Sequence, residues 1–375
     1  MPLRPLLCAA LCLIAPCVAA EEGFKPIFNG KDLTGWDGDP KHWSVVEGFI
    51  RGDSTVNKAG GNTFIIWRDG TLKDFELRLK YRIHTGNNSG VQYRSREVSK
   101  WVVAGYQSEV ENNLGKTGFL YHERGRGWLV DVGDFMHIDP RGAKAVVGIC
   151  ADREALIKAP YHTDKDWNQY HFIARGNHLV HTLNGYTTVE LIDEHVASDP
   201  KSLNQRCVEG VLALQVHGGS PMKVDFKDLE LKQLTAKHAD ARRLFNGKDL
   251  TGWSGEARVE PVTAKDYKRP SNARMDIGGA IALEASQGLS YDGATPASYV
   301  LRYQVRDGAP AVEGELFKAV AGWRTEEMHV RGDAVSWVSN GKAAASGVAG
   351  VGGGKIRLVA GKALAVRNLV LIPLE

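Results

Sequence analysis

Apolar and polar residues alternate with a period of two from Glu76 to Ile83, from His171 to Ala174 and from Val211 to Val216. That is the pattern of strands with one buried face. Between Val180-His181-Thr182-Leu183 and Tyr186-Thr187-Thr188-Val189 stands Asn184-Gly185, a pair that tolerates the positive φ angles of a tight hairpin turn. No long stretch carries a helical period; a turn or two of helix is expected around Pro200 to Asn204. Short strands, Gly-rich turns and no helices to cover a parallel sheet predict an all-β fold built as an antiparallel sandwich.

The pattern also repeats on a longer scale. Phe28-Asn29-Gly30-Lys31-Asp32-Leu33-Thr34-Gly35-Trp36 returns unchanged as Phe245-Asn246-Gly247-Lys248-Asp249-Leu250-Thr251-Gly252-Trp253. In the same order, Phe75-Glu76-Leu77-Arg78 matches Tyr299-Val300-Leu301-Arg302, and Trp167 through Asn184-Gly185 matches Trp323 through Asn340-Gly341. The strand Val224 to Leu231 matches Leu364 to Leu371. Ordered matches of this kind predict duplication: a complete copy over 21–235, a linker over 236–243, and a shortened, degenerate copy over 244–375. The shortened copy lacks a counterpart of most of Tyr81 to Asp166, so the chemistry is expected in the first copy and a scaffold role in the second.

Residues 1–20 break the pattern. Arg4 precedes an apolar run from Leu6 to Val18, too short to span a bilayer, and Val18-Ala19-Ala20 places small residues at a cleavage point. This reads as a signal peptide, with export to the periplasm or medium; anchoring as a lipoprotein through Cys17 is disfavoured because Pro16 stands where a small residue belongs. No later segment predicts a membrane span. The composition, 43% hydrophobic and 24% charged with a formal net charge of +3, is that of a globular protein. No basic run interleaves with aromatics, so nucleic acid is not an expected partner. Cys150 and Cys207 remain after processing, either as one disulfide or as two free thiols.

Strand geometry places candidate chemistry on one face. In Val91 to Arg96 it groups Gln92, Arg94 and Arg96; in Tyr106 to Glu111 it groups Gln107, Glu109 and Glu111. Planar Gln, Arg and Glu groups suit a ligand with many hydroxyls, so the expected partner is a sugar; a solvated outer sheet face is the plainer alternative. Glu109 and Glu111 also resemble the alternating carboxylates of retaining glucanases, but Gln107 stands at the first position of that pattern, which argues against a carboxylate nucleophile there. Tyr121-His122-Glu123-Arg124 with Arg126 forms a second polar group, and Gln215 and His217 share a face in Leu214 to Gly219. The other histidines form no constellation. No Cys/His metal spacing occurs, and no cofactor is expected, although carboxylates leave a Ca2+ or Mn2+ site open.

Taken together, the opening Phe28 to Trp36, Asn88-Ser89-Gly90-Val91-Gln92-Tyr93-Arg94, Gly105-Tyr106-Gln107-Ser108-Glu109, Gly118-Phe119-Leu120-Tyr121, Trp167-Asn168-Gln169-Tyr170 and Leu214-Gln215-Val216-His217-Gly218 resemble the 3-keto-disaccharide hydrolase domain family. The resemblance covers about Phe24 to Leu234 and implies a concanavalin- or glucanase-like jelly roll with a concave face. It also implies action on glycosides already oxidised at C3, where the ketone acidifies the C2 proton. Abstraction of that proton, expulsion of the C1 substituent and hydration follow. On this reading Glu109 or His217 is the base, Arg94 and Gln107 stabilise the oxyanion, and His122 or Glu123 assists the leaving group. Gln92, Glu111, Tyr121, Arg124, Arg126 and Gln215 contact the sugar. The alternatives are a carbohydrate-binding module without catalysis and an ordinary glucanase-like hydrolase. Oligomeric state is not legible.

Overall fold

The alternating stretches form strands whose apolar sides meet. Phe75–Ile83 buries Phe75, Leu77, Leu79, Tyr81 and Ile83 on one side and turns Glu76, Arg78, Lys80 and Arg82 to the other. The computed structural model describes residues 23–374 apart from 85–87, 263–268, 308–317, 319–321, 341, 345, 348 and 353–354. The expected signal peptide lies outside the described residues.

Among the described residues the strands assemble into sheets of 11, 7, 8 and 4 strands. Pairing is antiparallel except where Phe135–Ile138 meets Glu190–Asp193 and Ala145–Val146 meets Arg274–Met275. The fold is therefore all-β, a jelly-roll sandwich followed by a smaller one. No helix among the described residues is long and apolar enough to cross a membrane.

In the first sandwich, Leu77, Leu79, Tyr81 and Phe172 of the eleven-stranded sheet pack on Val91, Tyr93, Tyr106, Leu214 and Val216 of the seven-stranded sheet. In the second, Tyr299, Leu301, Tyr303 and Val305 of the eight-stranded sheet pack on Leu289, Ile356 and Leu358 of the four-stranded sheet. The two sandwiches then stack back to back. Val300, Val370 and Ile372 bury against Phe135, Ala145, Val147 and Ile192. The result is four layers of sheet, with the seven-stranded sheet outermost at one end.

Charged side chains run through that seam. Arg302 binds Glu190 at 3.2 Å and Glu327 at 3.1 Å, and Arg175 of the first sandwich binds Glu327 at 3.1 Å. His178 adds a 3.0 Å contact to Glu190. Burial by itself would raise the Glu327 pKa, but Arg175, His329 and Arg302 outweigh it and hold the carboxyl well below its ordinary value.

Local hydrogen bonding recurs between matched segments. Asn29 Nδ2 donates to Asp32 Oδ1 at 2.7 Å and Trp36 Nε1 to the Ile27 carbonyl at 2.8 Å; Asn246 and Trp253 make the same bonds to Asp249 and the Leu244 carbonyl at 2.8 and 2.9 Å. Asn184 and Asn340 both turn hairpins at φ near 50°, at 50° and 47°. Asp228 and Asn368 both sit in the left-handed region at a bulge of the closing strand, at 51° and 54°. The repeated loop is thus held by its own side chains.

The structure departs from expectation in three places. Residues 199–205 form turns and bends, and the helix lies instead at Arg153–Lys158, capped by Asp152 Oδ1 accepting from Ala155 N at 2.7 Å. The expected linker is structured: Ala239 N donates to the Pro373 carbonyl, and Arg242–Arg243 pairs with the closing strand. Arg269 to Met275 belongs with the first sandwich, where Arg269 binds Asp134 at 2.8 Å and Arg274–Met275 extends the eleven-stranded sheet. Of the two alternatives open for Cys150 and Cys207, the structure has two free thiols.

Candidate active site

The outer face of the seven-stranded sheet holds the polar cluster. Gly127–Val130, Leu120–Glu123, Val102–Val110, Ser89–Ser99, Val211–Val216, Thr63–Trp67 and Trp36–Asp37 follow one another across it. Because Tyr106, Ser108 and Val110 face the core, Gln107 and Glu109 face outward; the register Gln92↔Gln107 and Gln107↔Tyr121 brings Gln92 and Tyr121 beside them. Alternation adds Glu123 from Leu120–Glu123 and Gln215 from Val211–Val216.

Gly90 stands directly opposite Glu109. A Cβ there would lie 2.5 Å from both Cγ and Cδ of Gln107, so the absent side chain is what lets Gln107 lie across the strand. Gln107 Oε1 accepts Gln92 Nε2 at 2.8 Å and Gln215 Nε2 at 2.9 Å, and Gln107 Nε2 donates to Glu109 Oε2 at 3.0 Å. Ser95 Oγ in turn donates to Gln92 Oε1 at 2.8 Å. Gln215 Oε1 is buried with no hydrogen-bond partner among the described residues. An orphaned acceptor beside a carboxyl is a place for a hydroxyl donor.

Glu109 is 3% exposed. Burial, reinforced by the carboxylates of Glu111 and Glu123, pushes its pKa to about 8 against the opposing Gln107 hydrogen bond. Burial also raises Glu111 and Glu123, and Tyr121 rises with burial and the charges of Glu123 and Glu109. Asn62 comes from the loop before Thr63–Trp67 and reaches across to Glu123, with Nδ2 at 3.4 Å from both carboxyl oxygens. Its Oδ1 accepts Gly218 N at 3.0 Å, which ties this loop to the one after Val211–Val216. His217, half-buried, places Nδ1 at 2.7 Å from the Gly218 carbonyl. A carbonyl only accepts, so Nδ1 is the donor in this contact. Among the described residues no group of three or more His, Cys, Asp or Glu side chains is placed to hold a metal ion.

Four expected site residues lie elsewhere. Arg94 adopts φ 47° at a bulge between Tyr93 and Arg96, which turns it off the polar face and into the protein. There it binds Asp74 at 3.1 Å and the carbonyls of Lys73 and Gly176 at 2.6 and 2.7 Å. It is not available to a sugar oxyanion. His122 pairs with core-facing Tyr106, is 1% exposed, and its Nδ1 accepts Arg126 Nε at 2.9 Å. Burial first and Arg126 second lower its pKa to about 3, so it is a neutral core group. Arg126 is committed to Asp193, at 3.0 and 2.5 Å, and Tyr106 Oη donates to the same carboxylate at 2.5 Å. These groups brace the strand Leu120–Glu123 from behind. Arg124 is exposed at the turn after Glu123, at φ 54°.

The structure thus groups Glu109, Gln92, Gln107, Gln215, Tyr121, Glu123, Glu111 and His217, and adds Asn62. The tip of the hairpin joining Ser89–Ser99 to Val102–Val110 forms a wall: Trp101 O accepts Phe64 N at 2.9 Å, and Val103 packs with Phe64, Ile66 and Ala213.

Residues 23–232 match the model of the 3-keto-alpha-glucoside-1,2-lyase-like domain. A 3-keto-disaccharide hydrolase of Bacteroides thetaiotaomicron is 30% identical over 88 residues, which make up 21% of this chain and 29% of that protein. The match therefore spans less than a third of that relative. A Parabacteroides distasonis structure described provisionally as a glycosyl hydrolase is 18% identical, covering 56% of this chain and 99% of that one with a TM-score of 0.37. A galectin-like protein of Bacillus subtilis is 11% identical, covering 56% of this chain and 94% of that one with a TM-score of 0.39.

Proposed function

Since the chain belongs to the family of 3-keto-alpha-glucoside-1,2-lyase-like domains, matched over residues 23–232, we propose that it cleaves glycosides bearing a ketone at C3. The observation that carries this reading is Glu109: a buried carboxyl with a raised pKa whose hydrogen-bond partner is the carboxamide of Gln107, itself held by Gln92 and Gln215. An α-proton beside a ketone needs a single base with a pKa near the working pH and neutral donors around the developing enolate.

The steps balance as follows. The Glu109 carboxylate takes the C2 proton, and the electron pair of that bond becomes the enolate of the C3 ketone. The enolate expels the C1 oxygen substituent, which takes a proton from the Glu123 carboxyl, leaving a C1–C2 double bond conjugated with the ketone. Water adds its hydroxyl at C1 and gives its proton to the Glu123 carboxylate, while the Glu109 carboxyl returns a proton to C2, which restores both groups. With Arg94 engaged by Asp74, the donors left for the enolate oxygen are carboxamide N–H groups and the Tyr121 hydroxyl. Gln215 Oε1 accepts a sugar hydroxyl. Export of the protein remains part of the proposal, resting on the sequence of residues 1–20.

Incubation with a 3-keto-glucoside and, separately, its unoxidised parent tests the reading. Release of the aglycone from the keto form alone, with solvent deuterium entering C2, is the expected outcome. Release from both substrates would show an ordinary glycosidase, and binding without release a carbohydrate-binding module.

A further inference from the structure

A second cavity lies at the seam between the sandwiches, with a volume of about 430 Å3. The first sandwich contributes His137 and Glu194 to its lining; Arg243, Phe245, Asn246 and Tyr291 come from the segment beyond it. The core of the first sandwich separates it from Glu109, and the argument for it does not depend on the activity proposed above.

Arg243 is the informative residue. It is half-buried, and burial lowers its pKa from the ordinary value, opposed by the charge of Asp276. Yet its guanidinium has no hydrogen bond or ion pair among the described residues. Its neighbour Arg242 donates to the Ala294 carbonyl, and Asp276 is engaged by Lys248 at 3.4 Å and Arg274 at 3.5 Å. A half-buried guanidinium whose donors are left for a ligand is matched by a planar carboxylate. The remaining lining suits a sugar ring. His137 Nε2 and Glu194 Oε2, paired at 3.0 Å, offer polar atoms to hydroxyls, while Phe245 and Tyr291 supply apolar surface. Tyr291 is itself propped by Trp253, with ring centroids 5.2 Å apart.

We propose that this seam binds a monoanionic pyranose, a sugar carrying one carboxylate, with Arg243 as its counter-ion. The second sandwich would then add a recognition site of its own, for an acidic residue of a glycan.

Calorimetric titration of the full chain with glucuronate, glucose and acetate tests it. Glucuronate should bind at least tenfold more tightly than either control. Arg243→Gln should weaken glucuronate at least tenfold without changing the thermal unfolding midpoint, because the guanidinium holds nothing in place. Arg243→Lys should restore part of the loss, and Tyr291→Ala should weaken binding with the charge intact. Glu109→Gln should leave binding unchanged. The proposal is overturned if glucuronate fails to saturate, if acetate or glucose binds equally well, if Arg243→Gln has no effect, or if Glu109→Gln abolishes binding, which would move the anion to the sheet face.

Discussion

The side-chain nitrogen of Gln107 donates to Oε2 of Glu109 at 3.0 Å. The orientation of that amide is fixed by its other end, since Oε1 already accepts from Gln92 and Gln215. Glu109 therefore sits in a defined rotamer with a donor beside it, ready to be either a neutral acid or a carboxylate. Glu109→Gln keeps the size and the hydrogen-bonding capacity but cannot take a proton. Its turnover of a 3-keto-glucoside should fall about 10²- to 10⁴-fold with the fold intact, measured by aglycone release and far-ultraviolet circular dichroism.

The raised pKa of Glu109 sets a pH dependence of activity and an opposite one of stability. As base, the group must be ionised, so kcat/KM should rise with pH and level off above about 8. For stability, the folded pKa of about 8 lies above the ordinary carboxyl value of 4.5. The contribution is complete below 4.5 and is lost as pH climbs through 8, because the unfolded chain ionises first. Glu109→Gln should thus melt higher than the parent at pH 8.5, and the difference should vanish toward pH 4.5. Equal melting curves across that range would refute the assignment.

Gly90 offers a test of Gln107 without touching it. Its φ is not in the left-handed region, so alanine suits the backbone, but the new Cβ would meet Gln107 at 2.5 Å. Gly90→Ala should displace the carboxamide and lower kcat up to about a hundredfold, the usual result of an ångström-scale misplacement. A crystal structure of the variant would show where Gln107 goes.

His122 and Arg126 should behave as supports. Replacing His122 with Asn should lower the melting temperature yet leave the midpoint of the pH–rate profile where it was, since the imidazole faces Tyr106 and Arg126 instead of the sugar. Arg126→Met strands the Asp193 carboxylate and should cost about 3–5 kcal/mol, read by urea denaturation.

Arg302→Ala should separate the sandwiches. It removes the cation shared by Glu190 and Glu327 and should destabilise the chain by about 3–5 kcal/mol. Limited proteolysis should then cut near 236–243 while a fragment over 23–232 still binds substrate. Unchanged proteolysis would show that the apolar contacts of Val300, Val370 and Ile372 suffice.

Strand parity made much of the fold and part of the site legible. Alternation from Tyr106 to Val110 puts Gln107 and Glu109 on one side because that strand pairs in steady register with its neighbours through this stretch. The same rule fails at Arg94, where a bulge shifts the side-chain phase, and nothing in Val91 to Arg96 announces it. His122 misleads for another reason: it sits between Tyr121 and Glu123, and parity sends it to the opposite face, although composition alone makes it look like an acid. Asn62 has no pattern to betray it. It follows Gly60-Gly61 in a loop and meets Glu123 only through folding; the tight approach of Gly61 to Gly218, where a Cβ on Gly218 would sit 2.4 Å from Gly61 C, is the sole local trace. The Arg175–Glu327–Arg302 contacts at the seam were likewise invisible, because charged residues alternating along a strand read as a solvated face until another sheet covers them.

Stacked sheets stand about 10 Å apart, so the fourth layer lies roughly 30 Å behind the first. Where Gln215 closes the polar cluster, the matched position in the far sheet is Val359, 59% exposed. The molecule is a standoff: any attachment made at the far end would hold the sugar-facing side clear of whatever it is fixed to, pointing outward and unshaded.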